Sequence, residues 1–579
     1  MLSPVGRSPE NCWRRRELVG HLSGPYGIPN HIRCHTKGRA MIEVPVLVVG
    51  AGPVGMSLGL LLDRFGISSL VAERRPATTV HPKAYGSTAR TMEHFRVWGI
   101  EDQVRGGGLP PNSDVISWCE SLSGPIVALT HPEPSNNTPS PKSIVAQDVV
   151  EEALDHALST RPRVDLRRST QVISFQQDSE GVTALLRHVD TGEEFEVRSR
   201  YIVGCDGAAS LVRERVGIEM EGPETLQVRA THYFRAPVGH LPHVRRVVGF
   251  LCRPKGRPAL DVLGTGPDGD RWRFIQLLGD GEEPYSTDHL IDLVREYWGI
   301  PDLKVEPINV QVWNMSAQVA KSFRRDRAFL AGDAAHRFPP AGGIGMNSGI
   351  QDVHNLAWKL AAVLDGSGTD ALLDTYETER HPVAWSNTNW SVEGFDRIEE
   401  MDEIFHNRHD DPEPWRALLI DQDRQINCEG QAMGLIYAGS AAVVDDGSPV
   451  PPHDSRYYWP TDRPGARFPH MWLDAAESES TIDWFDTAFV LVCGPDATGW
   501  KAAGEDLARE GKMPLLVKVL PHLVGPLTLG HEGAALVRPD GHVAWRSQGS
   551  GAPEDLVAAL ADVLAGAAGV ASLALAVRG

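Results

Sequence analysis

Two glycine-rich loops about 280 residues apart carry the residue types most specific for ligand chemistry. The first, Gly50-Ala51-Gly52-Pro53-Val54-Gly55, follows a β-branched run from Glu43 to Val49 and precedes apolar residues at helical spacing from Val54 to Phe65. Gly66 stops that helix, and Ser69 to Ala72 reads as a second strand closed by Glu73. In such a βαβ start, Gly50 permits the tight turn, Gly52 lets backbone N–H groups approach a pyrophosphate, and Gly55 lets helix and strand pack closely. The helix N-terminus adds unpaired N–H donors and positive dipole. Glu73 is placed to accept hydrogen bonds from ribose hydroxyls, and Arg74 with Arg75 suits a 2′-phosphate or a pyrophosphate. This half specifies a dinucleotide and leaves FAD and NAD(P) open.

The second loop, Gly332-Asp333-Ala334-Ala335-His336, follows a strand at Arg327 to Ala331 and leads into Pro339-Pro340-Ala341-Gly342-Gly343-Ile344-Gly345-Met346-Asn347. At the C-terminal end of a strand in an open α/β sheet, Asp333 can accept hydrogen bonds from a ribityl chain, which NAD lacks. Ala334 and Ala335 are small enough for a flat ring to lie against the backbone. A helix is expected from about Asn347, with Ile350, Val353, Leu356, Ala357 and Leu360 on its buried face. Its N-terminus would meet the pyrimidine end of an isoalloxazine, where reduction places negative charge. The second loop therefore selects FAD.

With these residues in view, the chain resembles the single-component FAD-dependent aromatic hydroxylases of the p-hydroxybenzoate and phenol hydroxylase fold. GAGPVG at 50–55, CDGAASLVR at 205–213 and GDAAH at 332–336 match in order, and the likeness covers roughly 43–400. In that family the middle fingerprint, with Asp206, Gly207 and Arg213, serves FAD and NAD(P)H. The resemblance further implies that Gln147 contacts FAD and that Met346 and Asn347 present backbone to its ring, beside the loop of Pro340 and Gly343. It implies that Arg90, in Thr88-Ala89-Arg90-Thr91-Met92-Glu93, is a catalytic-site arginine linked to NAD(P)H and ring movement; the alternative is a surface helix arginine.

The implied cycle uses NAD(P)H to reduce FAD and O₂ to form a flavin hydroperoxide, which hydroxylates a small phenolic or polyketide-like aromatic substrate. Baeyer–Villiger or decarboxylative oxygenation would use the same scaffold. A flavin protein that sequesters an intermediate without oxidising it is the reading from another class.

The elements that must position these loops define an α/β fold. Residues 41–221 and 319–400 form a Rossmann-like FAD-binding domain, and 222–318 form a substrate-binding β domain. Residues 401–467 read as helical segment and linker, and 468–579 as a thioredoxin-like α/β domain. In the β segment, Gln227 to Ala236, Arg271 to Leu278 and Ile308 to Trp313 alternate polar and apolar residues. Trp272 and Phe274 share one face, Arg271 and Arg273 the other; Tyr233, Phe234, Trp272, Phe274 and Trp313 are candidates for an aromatic pocket or for core. The tail carries Arg538-Pro539-Asp540-Gly541 before Val543-Ala544-Trp545-Arg546, which recurs in phenol hydroxylase relatives. With Cys493 unpaired there, the domain reads as structural, with an oligomer surface as a further use.

Composition sets the limits. A 579-residue chain of 41% hydrophobic and 23% charged residues is globular, with about two to four domains. A net charge of −20 argues against nucleic acid or an anionic membrane as partner. The longest apolar stretch, Val44 to Leu62, is broken by prolines and glycines, so no membrane span is expected. Seven scattered cysteines without a CxxC point to a reducing cytoplasm and against a disulfide framework or zinc site. No metal is expected: His406 with His409-Asp410-Asp411 reads as solvated linker. Residues 1–40, with Arg14-Arg15-Arg16, read as a disordered extension, and Met41 is an alternative start. A homodimer is a further expectation.

Overall fold

A computed structural model describes residues 41–566, except 80, 82, 111–112, 123–125, 131–132, 242–243, 245–246, 253–259, 265–269, 409–422, 424, 511–513 and 524. The expected N-terminal extension and His409 to Asp411 lie outside the described residues.

The first strand, Met41–Val49, lies between two parallel neighbours, Ser69–Ala72 and Glu194–Gly204. Outside them pair Val164–Arg167 and Ala328–Leu330, also parallel. The register has a direct consequence for function. Ala72 is level with Val49, Val49 with Gly204, and Gly204 with Leu330. Four strands thus end in one row, and the chain segments after them must emerge side by side. The buried stretches Val46 to Val49, Leu70 to Ala72, Tyr201 to Val203 and Ala328 to Leu330 are apolar throughout, as a sheet covered on both faces requires.

Helix α1 (Pro53–Arg64) begins with Pro at its first turn and ends before Gly66, whose φ of +79° closes it. Its fully buried Leu58, Leu60 and Leu62 each contribute roughly 1.5–3 kcal/mol. Helix α2 (Ala89–Trp98) starts at Thr88, whose side chain accepts from the Thr91 N–H. Helix α3 (Gln147–Ser159) packs on α1.

The β domain is a seven-stranded sheet in the order 306–315, 227–235, 271–278, 260–264, 247–252, 114–119, 126–129. It reaches beyond the sequence boundary at 222, because Asp114–Cys119 and Ile126–Leu129 extend it at one edge. Helix α4 (Thr287–Trp298) covers one face. Phe234, Trp272 and Phe274 pack there with Leu290, Val294 and Trp298, and the Trp272 and Trp298 rings lie 5.4 Å apart. These three aromatics are core, so an aromatic pocket containing them is ruled out. The other face carries Tyr233, Arg271, Arg273 and Trp313.

Helix α5 (Gly345–Asp365) returns to the FAD-binding part, and α6 (Ala371–Arg408) runs 38 residues, across the boundary expected at 400. The last domain pairs Phe489–Cys493 parallel with Leu515–Val519 and antiparallel with Ala534–Val537, which pairs with Val543–Ser547. Helices α7 (Thr498–Arg509) and α8 (Pro553–Ala565) complete it. Its core is continuous with that of the FAD-binding part: Trp358 of α5 meets Phe489 at right angles, 5.6 Å between centroids. Burial, then the Glu505 charge, pushes the Cys493 thiol up to about 12, which makes it unreactive.

Candidate functional site

The three fingerprint loops meet where the strand ends line up. Gly50 has φ +98°, and a Cβ there would sit 2.5 Å from the Cys205 carbonyl oxygen, so only glycine brings the first and second loops this close. A Cβ on Gly55 would sit 1.9 Å from the Gly50 oxygen, whereas one on Gly52 would meet nothing within 4 Å. Gly55 is thus demanded by packing, while Gly52 faces open space. Gly332 packs on Val54 of α1, and Gly349 of α5 packs on Gly332. Glu73 accepts from the Ala51 N–H at 2.8 Å and the Arg75 N–H at 2.9 Å, bracing the first turn from the neighbouring strand. Arg74 is exposed beside it.

Asp206 accepts from the Val212 N–H at 3.2 Å through one oxygen, while its other oxygen is buried without a partner. Burial pushes its pKa up, against the hydrogen bonds it accepts. Gly207 follows with φ +81°. Arg213 donates to the Ala334 carbonyl at 2.9 Å, tying the second fingerprint to the third.

Asp333 is exposed at the end of the Ala328–Leu330 strand. Ala334 and Ala335 are fully buried, so they pack beneath the loop and do not face a ring. Beyond them Pro340 is exposed, Gly342 and Gly343 both have positive φ, and Met346 and Asn347 are buried in the first turn of α5. Asn347 is a clamp. Its Oδ1 accepts from the Thr88 N–H at 2.9 Å, and its Nδ2 donates to the Gly343 carbonyl at 2.8 Å and the Gly86 carbonyl at 3.1 Å. Gln147 accepts from the Ala84 N–H at 3.0 Å and donates to Glu151 at 2.7 Å.

Arg90 is not a surface arginine. It is buried, with Nη1 on Glu93 at 2.9 Å and Nη2 on the Asp540 carbonyl at 2.6 Å, pointing into the C-terminal domain. Asp540, at the turn of the Arg538 to Arg546 hairpin, likewise faces inward, against Asn355 and Trp358 of this chain's own α5.

Sequence reading missed Asp352. It accepts from the Gly332 N–H at 3.1 Å, His336 Nε2 at 2.6 Å and Arg380 Nε at 2.8 Å, and so holds the Gly-Asp loop from below. Burial raises its pKa, but His336 and Arg380 prevail and bring it to about 2. Trp390 and Phe395 of α6 were missed as well. Phe395 clusters with Met315 and Ala341, and Trp313 packs against them; Trp390 clusters with Ile344 and Cys428. The available signal was polar residues inside an apolar helical stripe, Asp352 beside Val353 and Asn355 beside Leu356.

The donor set fits FAD: an open glycine turn for a pyrophosphate, a buried carboxylate oxygen without a partner, an exposed Asp333, and a helix N-terminus beside a glycine loop. Among the described residues no cluster could hold a metal ion, and no helix is long and apolar enough to cross a membrane.

Comparisons agree with this geometry. Residues 43–391 match the FAD binding domain family model, and residues 461–567 match the model of the aromatic-ring hydroxylase C-terminal domain. The chain is 36% identical over 568 residues to a tetracenomycin B2 monooxygenase-dioxygenase of Streptomyces olivaceus, covering 90% of this chain and 98% of the relative. It is 35% identical over 554 residues to a 4-methyl-5-nitrocatechol 5-monooxygenase of a Burkholderia species, covering 90% and 97%. Among solved structures, the flavin-dependent monooxygenase PieE in complex with FAD and substrate superposes with a TM-score of 0.82 at 30% identity, covering 90% of this chain and 99% of that one. Ordered fingerprints, aligned strand ends and full-length relatives place this chain in the family of FAD-dependent aromatic-ring hydroxylases.

Proposed function

We propose that this enzyme hydroxylates a phenolic or polyketide-like aromatic substrate with NAD(P)H and O₂, in the cytoplasm and as a homodimer. The observation that carries the reading is the row of strand ends, which brings Gly50, Asp206 and Asp333 into one cradle. Relatives acting on tetracenomycin and on a nitrocatechol support the substrate class. Seven scattered cysteines without a CxxC suit a reducing compartment. The edge strand Glu306–Met315, with Val310 47% and Val312 54% exposed, suits pairing with a second copy.

In this reading Gly50, Gly52 and Gly55 admit the pyrophosphate and Glu73 and Arg74 the adenosine side. Asp206, Gly207 and Gln147 line the middle of the cradle. Asp333 would hold the ribityl chain by accepting from its hydroxyls, and Pro340, Gly343, Met346 and Asn347 would offer backbone to the ring. Bound FAD supplies electron transfer and oxygen activation. The chain's part is to orient the aromatic and keep water out. Trp313, Met315 and Phe395, packed around Ala341 of the flavin loop, form the apolar wall suited to that task.

The test is NAD(P)H oxidation by the purified protein over a panel of phenols and aromatic polyketides, with product masses. Substrate-stimulated oxidation and a product heavier by one oxygen, without ring expansion, are expected. A ring-expanded lactone would indicate Baeyer–Villiger chemistry, and loss of CO₂ the decarboxylative route. A yellow protein that no substrate stimulates would favour sequestration.

A further inference from the structure

The turn Pro539-Asp540-Gly541 makes contacts that a peripheral domain does not need. Its Asp540 carboxylate accepts from Trp358 Nε1 at 3.1 Å and Asn355 Nδ2 at 3.4 Å, both on α5. Its Asp540 carbonyl accepts from Arg90 on α2 at 2.6 Å. Arg538 holds the carboxylate from behind at 2.5 Å and reaches Glu379 of α6 at 2.6 Å. Arg538 and Asp540 are buried to within 2% of their surface. One residue of the C-terminal domain therefore grips two helices of the FAD-binding domain.

Those two helices share a second joint. At their N-termini the Thr88 N–H meets Asn347, and Asn347 carries the Gly343 loop. Asn347 and Trp358 are separated by about 16 Å along a helix that behaves as a rod at 1.5 Å per residue. Beside the turn, between Arg90, His94, His354, Tyr437 and His542, lies a void of about 10 Å³, just enough for one water, so the joint has little slack.

We propose that the Pro539–Gly541 turn is a positioning element for the flavin end of the site: it fixes the placement of α2 against α5 and, through Asn347, the loop of Gly343. The inference rests on the flavin cradle proposed above. Arg90 is then a positioning residue, acting through α2. Gly541 is part of the device, because it has φ +78° and a Cβ there would lie 3.2 Å from Arg90 Nη2.

Trp358→Phe removes one hydrogen bond to Asp540 and keeps a packed ring; Gly541→Ala presses on Arg90; Asp540→Ala removes the grip on α5. The readouts are FAD content, visible circular dichroism of the bound flavin, and the anaerobic rate at which NAD(P)H bleaches it. Trp358→Phe and Gly541→Ala should keep FAD, change the visible dichroism, and slow bleaching on the order of tenfold. Asp540→Ala should do so more strongly; if it does not fold, the two milder variants decide. Flavin-loaded variants with wild-type dichroism and bleaching, even at lowered Tm, would overturn the proposal and leave the turn merely structural. A wild-type protein that binds no FAD would instead overturn the cradle beneath it.

Discussion

The FAD cradle and the joint between α5, α6 and the C-terminal hairpin are built on opposite principles. The cradle is backbone and glycine, with Gly52 facing open space and Asp333 exposed. The joint is side chain and charge, with Lys359, Glu379, Arg538 and Asp540 buried and paired. Burial lowers Lys359 to about 8, with Glu379 opposing; burial raises Glu379, but Arg538 and Lys359 bring it down to about 2. One region keeps its hydrogen-bonding capacity for a ligand, and the other consumes it internally. Substitutions in the joint should therefore cost stability, and substitutions in the cradle should cost flavin.

Glu379→Ala gives the largest effect on the joint side. It strands Lys359 and Arg538 without their shared partner, and a loss of about 3–5 kcal/mol is expected in urea unfolding. A loss below about 1 kcal/mol would mean the network is not the joint's main support. Gly55→Ala follows on the cradle side. Its Cβ meets backbone, which cannot rotate away, so flavin content should fall together with about 1–3 kcal/mol of stability. Full flavin content in that variant would show that the turn is looser than its geometry states.

The smaller effect is one of pH and again separates the regions. The His94 and His354 rings lie with centroids 3.9 Å apart, tilted by 33°, near Arg90, His542 and Asp540. Burial, then Arg90, lowers His354 from 6.5 to about 3. The unfolded chain then binds protons that the native one refuses, so this stability is present above pH 6.5 and is lost as pH falls toward 3. The slope is about 1.4 kcal/mol per pH unit for each such histidine. His354→Phe should flatten the fall in Tm between pH 6.5 and 5 without changing flavin content at neutral pH; an unchanged slope would remove His354 from the account.

The same contrast explains what the sequence made legible. The cradle is written in local strings, because a turn that needs positive φ or close approach accepts few residues besides glycine, as at Gly50 and Gly55. Strand limits such as Ser69–Ala72 and Arg271–Leu278 are readable from β-branched and apolar runs bounded by turn residues. The joint was not legible, because Glu379, Arg538 and Arg90 lie at least 159 residues apart and each alone resembles a surface charge. The faces of the β sheet were separated correctly by alternation, but alternation cannot say which face α4 will cover. That left Trp272 and Phe274 as pocket candidates until the packing decided.

The most direct test of the cradle is flavin content and Tm of Asp333→Ala beside wild type. Asp333 is exposed and lies outside the buried network, so the fold has little to lose by it. Wild-type protein is expected to carry about one FAD per chain, and the variant to lose most of it while melting within about 0.5 kcal/mol of flavin-free wild type. A variant that retains its full complement of FAD would contradict the assignment of the Gly332–His336 loop and the cradle built on it.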